Sequence, residues 1–191
     1  MGIFFAILLL MHFGLLTSLL GTIISVASLT LLAKREHAVE KGKTLSELGS
    51  RNSQTLREFR IILWMCGLLF IVAMHWSILP GLGYPTLLTI VWLITIACEL
   101  MLGLIPAQDD TLTGKIHNAI AFTMGSGMLL MTLLFSLSLS GYYQFAEMIL
   151  FGFMFVLGIQ IMKRNEHFLY YELPYIFLSH LSIVVAALSI T

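Results

Sequence analysis

Charge is what this sequence has least of. Of 191 residues, ten are Lys or Arg and ten are Asp or Glu, so 10% are charged and the formal net charge is zero. A soluble domain carries about 25% charged residues, so the chain lacks the polar surface that water demands. Its basic residues form no cluster interleaved with aromatics, which excludes nucleic acid as a partner. Cysteine is nearly absent: Cys66 and Cys98 are the two present, and both sit inside apolar runs, which excludes a disulfide framework. No HExxH, no His-x-x-x-His and no paired-Cys motif occurs, so metal chemistry has no local signature.

What is abundant is hydrocarbon. Apolar residues make up 59% of the chain, and the mean hydropathy is +0.96. Six apolar stretches stand out at 2–33, 59–79, 84–105, 116–140, 143–162 and 169–190. Each is near or above the roughly 20 residues that cross a 30 Å hydrocarbon core as a helix. The first has no basic leader and is far longer than the h-region of a signal peptide, so it is expected to be a retained helix. Ala6 stands where a myristoylation motif wants Ser or Thr,. The pattern predicts an all-α polytopic transmembrane bundle of six helices forming one domain over 1–191.

The charges then orient it. All ten Lys and Arg lie in the first, third and fifth connections, and the second and fourth contain none. The positive-inside rule places the odd connections in the cytoplasm and both termini outside. The expected location is the plasma (inner) membrane, with 34–58 as a cytoplasmic loop. That loop holds two Ser/Thr-x-x-Glu patterns, Thr44 to Glu47 and Thr55 to Glu58. The second is expected to cap helix two, and a helical extension over 34–42 is expected to carry the pair His37 and Lys41. The loop reads as a solvated connector or as a docking segment for anionic lipid or a partner.

Helix one carries Gly14, Ser18, Gly21, Ser25 and Ser28 on one face. Small residues let backbones approach closely, so this face is expected to meet a helix of the same chain or of an oligomer. Gly125, Gly127, Gly152 and Gly158 offer further close-approach points. Cys66 and Cys98, at similar depth on adjacent helices, read as small buried hydrophobes that could touch.

Ionisable residues within spans are rare and costly, at about 2.5–3.5 kcal/mol for a charge at mid-membrane, and so are candidates for function. Here they are His12, His75, Glu99, His117, Glu147, Glu172 and His180. Thr95, Glu99 and Gly103 share a face of helix three, and Glu172, Tyr175, Ser179 and His180 a face of helix six. With His117 and Asn118 opening helix four, these define a candidate ligand or proton site near the cytoplasmic side: Glu99, His117, Asn118, Glu172, Tyr175 and His180. Pro174, if the last helix begins before it, frees a carbonyl near Tyr170, next to Glu172, and adds weight to a cavity there. Asp109, Asp110, His117 and His180 could instead hold a divalent metal and activate water for a lipid hydrolase. His12, His75 and His180 permit axial haem pairs, as in a haem b or quinone redox protein. Buried acids also serve as hydrogen-bonded structural contacts. Trp76, Tyr84, Tyr142 and Tyr143 at one set of helix ends, and Tyr170 and Tyr171 at the other, read as interfacial aromatic belts.

The run Gly103-Leu104-Ile105-Pro106, then Asp109-Asp110, then His117-Asn118-Ala119 resembles a junction in small six-helix membrane families, the DRAM/Frag-type proteins and a prokaryotic six-span family. The chain departs from the DRAM type in lacking Pro-Tyr-Ile-Ser-Asp after helix one. It departs from alkaline-ceramidase-like hydrolases in having His180 alone near its C-terminal end. The resemblance implies a lipid-regulatory or scaffolding membrane protein. The sequence therefore favours a lipid- or ligand-binding, scaffold or accessory membrane subunit, with no cofactor specified.

Overall fold

A computed structural model describes residues 2–36, 44, 45, 47, 53–107, 111–163 and 168–191. Its regular elements are all helical, and there is no strand among the described residues. We number them α1 (Gly2–Arg35), α2 (Ser53–Gly81), α3 (Thr86–Leu102), α4 (Leu112–Ser138), α5 (Gly141–Met162) and α6 (Phe168–Ser189). Five of these contain a segment long and apolar enough to cross a membrane, and α3 is a shorter apolar helix. At 17 residues it spans about 26 Å.

The helix ends follow from local chemistry. α4 begins where the Thr111 side chain accepts the Gly114 amide, satisfying an orphan donor of the first turn. Between α2 and α3 the chain turns at Gly83 and Tyr84, both with positive φ (73° and 53°), and Pro85 precedes the next helix. α2 widens into a π-helical turn over Met74–Ile78, where the Leu79 amide bonds the Met74 carbonyl. Pro80 follows at once and donates no amide, so the preceding turn has to rearrange its hydrogen bonds. α6 runs through Pro174.

The two Ser/Thr-x-x-Glu patterns of the first loop behave differently from the expectation that the second is the cap. α2 already begins at Ser53, so Thr55 lies inside the helix rather than capping it, and its hydroxyl donates to Glu36 Oε1 at 3.2 Å. The earlier pattern closes as a capping box. The Glu47 amide donates to Thr44 Oγ1 at 3.1 Å, and the Thr44 amide to Glu47 Oε2 at 3.0 Å. The proposed extension with His37 and Lys41 lies mostly outside the described residues, α1 ending at Arg35.

Consecutive helices pack side by side, and α1 packs on α6 to close a ring, with α4 and α6 also meeting inside it. The distribution of polarity is the inverse of a soluble bundle. Leu31, Leu68, Phe122, Phe145 and Phe153 are exposed, while Ser18, Ser25, Glu99, His117 and Glu147 are buried. In hydrocarbon an inward hydroxyl needs an acceptor within the protein, and several take one from their own helix: Thr22 from Ser18, Thr95 from Val91, Thr132 from Met128. This is a membrane protein's interior.

At Gly14 and Gly21 the face of α1 with small residues lies close against α2. A Cβ added at Gly14 would lie 2.2 Å from Ser77 Cβ in the π turn, and one at Gly21 would lie 3.1 Å from the Phe70 ring. Between α3 and α4, a Cβ on Gly127 would lie 2.1 Å from Thr95 Oγ1, whereas Gly125 and Gly152 face open space. Cys66 and Cys98 are free thiols, the first buried and the second half-buried.

At one end Leu29, Leu32, Leu45, Phe59, Leu102 and Leu169 form a cluster. Leu45 comes from the first loop and is buried there, so part of that loop is docked into the mouth of the ring. The described basic residues flank this end, which we call the basic end. At the other end Leu79, Leu88, Leu139 and Ala187 belong to the larger cluster, and Gly81 abuts Ile190.

A candidate polar core between helices three, five and six

Thr95 and Glu99 lie one turn apart on the inward face of α3. Opposite them α6 presents Ser179, His180 and Ser182. Between these groups, Phe70 of α2 and the methionines of α4 lies a cavity of about 20 Å³. A space of this size accommodates one water molecule, which needs about 10–15 Å³ and two or more polar partners. His180 is 3% exposed. Its ring lies against Phe70, centroids 4.5 Å apart and planes tilted by 42°, and its buried Nδ1 has no protein partner. Glu99 is 5% exposed.

Ser182 connects this cavity to a second acid. Its hydroxyl donates to Glu147 Oε2 at 2.6 Å. Glu147, on α5, is 0% exposed, and its Oε1 has no partner. Among the described residues, no Lys or Arg compensates either carboxyl group. The ion pairs among the described residues are Arg35 with Glu58 at 2.7 Å and Arg35 with Glu36 at 3.2 Å, both at the basic end.

The remaining candidates are held elsewhere. His117 is buried at the start of α4, where Nδ1–H donates to the Ile105 carbonyl at 2.6 Å. Its Nε2 is buried without a partner. Eleven residues separate it from Met128 at the cavity, about 16 Å along the helix axis. Glu172 Oε2 accepts the Leu45 amide at 2.9 Å and so fixes the docked loop. It lies eight residues before His180, about 12 Å along α6. Tyr175 donates its hydroxyl to the Gly125 carbonyl at 2.6 Å, joining α6 to α4. Asn118 is exposed. The structure therefore brings Glu99 and His180 to one cavity and uses Glu172 and Tyr175 as ties, with His117 buried apart from it.

Asp109 and Asp110 lie outside the described residues, and among the described residues no three His, Cys, Asp or Glu side chains gather as a metal set. Of the three histidines considered for haem, His12 and His75 are exposed and only His180 lines the cavity. Cofactor sites generally enclose about 300–1,000 Å³, far more than this space offers. On the outer surface at the basic end, a shallow groove of about 340 Å³ runs between α1 and α2, walled by Leu31, Leu32 and Ile61 and rimmed by Arg35 and Glu58.

Family models, curated proteins and solved structures give no match to this chain. The site must be read from its own residues. Ser182 is the member that the sequence leaves unmarked, and Glu147, though one of the ionisable residues within spans, lies outside the six-residue ligand or proton site expected from sequence. Glu147 is the one charged residue between Gly141 and Met162, which was signal enough to suspect it. Its partner comes from the facing of α5 and α6, which no periodicity reveals.

Proposed function

We propose that this is a six-span membrane protein without catalytic turnover, a ligand-binding or accessory subunit whose working part is the polar core around Glu99 and His180. Its basic end faces the cytoplasm, both termini lie outside, and it resides in a plasma (inner) membrane. The observation that carries the reading is the water-sized cavity lined by an acid, an imidazole and hydroxyls, with no Lys or Arg among the described residues facing it. Such a space suits protons and water and has no room for a lipid headgroup. Intramembrane Glu and His in this setting are the usual means of proton binding in bundles. Lipid contact is assigned to the outer groove between α1 and α2.

Two measurements test this. Cysteine placed at Ser46 should resist a membrane-impermeant maleimide in intact cells, and cysteine at Tyr142 should react; the opposite pattern inverts the topology. Infrared titration of the purified chain should reveal a buried carboxyl band that changes with pH and is lost in Glu99→Gln. If no buried carboxyl responds to pH, the core is inert packing. A metal-hydrolase reading keeps one supporting observation. A carbonyl can only accept, so His117 Nδ1 carries the proton, and in the neutral ring Nε2 is then a lone pair, as in metal-bound imidazoles. Zinc at stoichiometric level in purified protein, lost in His117→Ala, would favour it.

A further inference from the structure

We infer that the polar core is a proton relay joining Glu99, toward the basic end, to Glu147, toward the opposite end, through one cavity water and the Ser182 hydroxyl. The inference rests on reading the core as a proton-binding site and adds its second terminus and its direction.

The placement of the two acids argues for it. Glu99 lies three residues before the end of α3 at Leu102, about 4.5 Å along the axis from the basic end of that helix. Glu147 lies six residues into α5 from Gly141, about 9 Å from the opposite end. Between them the polar atoms are nearly continuous: the Glu99 carboxyl, the cavity, His180 and Ser182 on its wall, then the 2.6 Å bond from Ser182 to Glu147. Two atoms on this line lack protein partners while fully buried, His180 Nδ1 and Glu147 Oε1. A bundle needing only structural polar contacts would pair them, because a buried polar group without a partner has lost its water and gained nothing in return.

The transfer balances without another reactant. Glu99 O–H gives its proton to the cavity water, and the water passes one on to Ser182 Oγ as Ser182 gives its own to Glu147. Each intermediate oxygen gains one proton and loses one. His180 Nδ1 is the alternative resting place beside the water. The other hydroxyls around the cavity, Thr95 and Ser179, donate to the Val91 and Ile176 carbonyls of their own helices and lead to no second acid. α2 offers the Phe70 ring, with Cys66 one turn away, α3 adds Thr95 and Trp92, and α4 presents Met128, Met131 and Phe135.

The test uses the full chain in phosphatidylcholine–phosphatidylglycerol vesicles containing a pH-sensitive dye, with a potassium diffusion potential set by valinomycin. Proton uptake above that of protein-free vesicles is expected, reduced at least tenfold in Glu99→Gln and in Glu147→Gln. Ser182→Ala, which removes one hydroxyl and leaves the helix intact, should slow it severalfold. Wild-type uptake equal to empty vesicles, or uptake unchanged in all three variants, overturns the relay. The infrared titration distinguishes the two levels of failure. A pH-responsive Glu99 band without proton uptake removes the relay and leaves the proton-binding core, while absence of both removes the two together.

Discussion

Gly127→Ala is the substitution whose outcome the structure determines most sharply. The new methyl would stand 2.1 Å from Thr95 Oγ1 and 3.3 Å from Thr95 Cβ. Ordinary contacts between such atoms lie near 3.5–4.0 Å, so about 1.5 Å must be found. Thr95 cannot yield freely, because its hydroxyl is bonded to the Val91 carbonyl at 2.8 Å and turning it drives a group into the cavity. Either the hydroxyl loses its bond or α3 and α4 part. Overpacking of this kind costs about 1–3 kcal/mol. Thr95→Ala alone should cost about 0.5–1.5 kcal/mol, the net worth of one hydrogen bond. In the double variant the hydroxyl is gone and the added methyl largely fits, so the two costs should fall short of their sum by about 1–2 kcal/mol. Reversible unfolding in mixed micelles against dodecyl sulfate measures all four corners. Gly125→Ala, in open space two residues away, is the control and should be neutral or slightly stabilising, as alanine is the better helix former. Additivity of Gly127→Ala and Thr95→Ala within about 0.5 kcal/mol would refute the contact.

Other expectations concern the ties. Leu45→Ala should destabilise by about 2–5 kcal/mol, as a buried leucine does, although it lies in a connecting loop; a loss below about 0.5 kcal/mol would mean the loop is not docked. Glu172→Gln keeps an oxygen to accept the Leu45 amide and Glu172→Ala does not, so amide exchange at Leu45 should quicken far more in the alanine variant. Equal exchange in both would remove Glu172 as the tie. Tyr175→Phe deletes the bond to the Gly125 carbonyl and should cost about 0.5–1.5 kcal/mol in the same unfolding assay; no loss would show that bond to be dispensable.

Hydrophobic runs locate the helices because burial in hydrocarbon is written residue by residue, but they mark the apolar middle of each helix and miss its polar ends. The second run begins at residue 59, whereas α2 begins at Ser53, its first turns being helical and polar. The fourth run begins at residue 116, and α4 begins four residues earlier at Leu112. The π turn was illegible, since Pro80 signals disturbance without stating which hydrogen bonds shift. The core was half legible. Residue type marked Glu99, Glu147, His180 and Glu172, but convergence depends on how six helices are rotated about their axes. That rotation put Glu147 beside Ser182 and kept His117 and Glu172 away from the cavity.

Closure of the ring by α1 against α6 has a consequence for biogenesis. Synthesis delivers Glu99 and Glu147 to the membrane before the segment carrying Ser179, His180 and Ser182 exists. Until α6 leaves the ribosome, both acids lack their α6 neighbours, and each must be tolerated at the insertion machinery, by lipid-interface water, or by a helper. A ribosome-bound chain halted before Phe168 should thus be the form most prone to proteolysis and to capture by membrane chaperones.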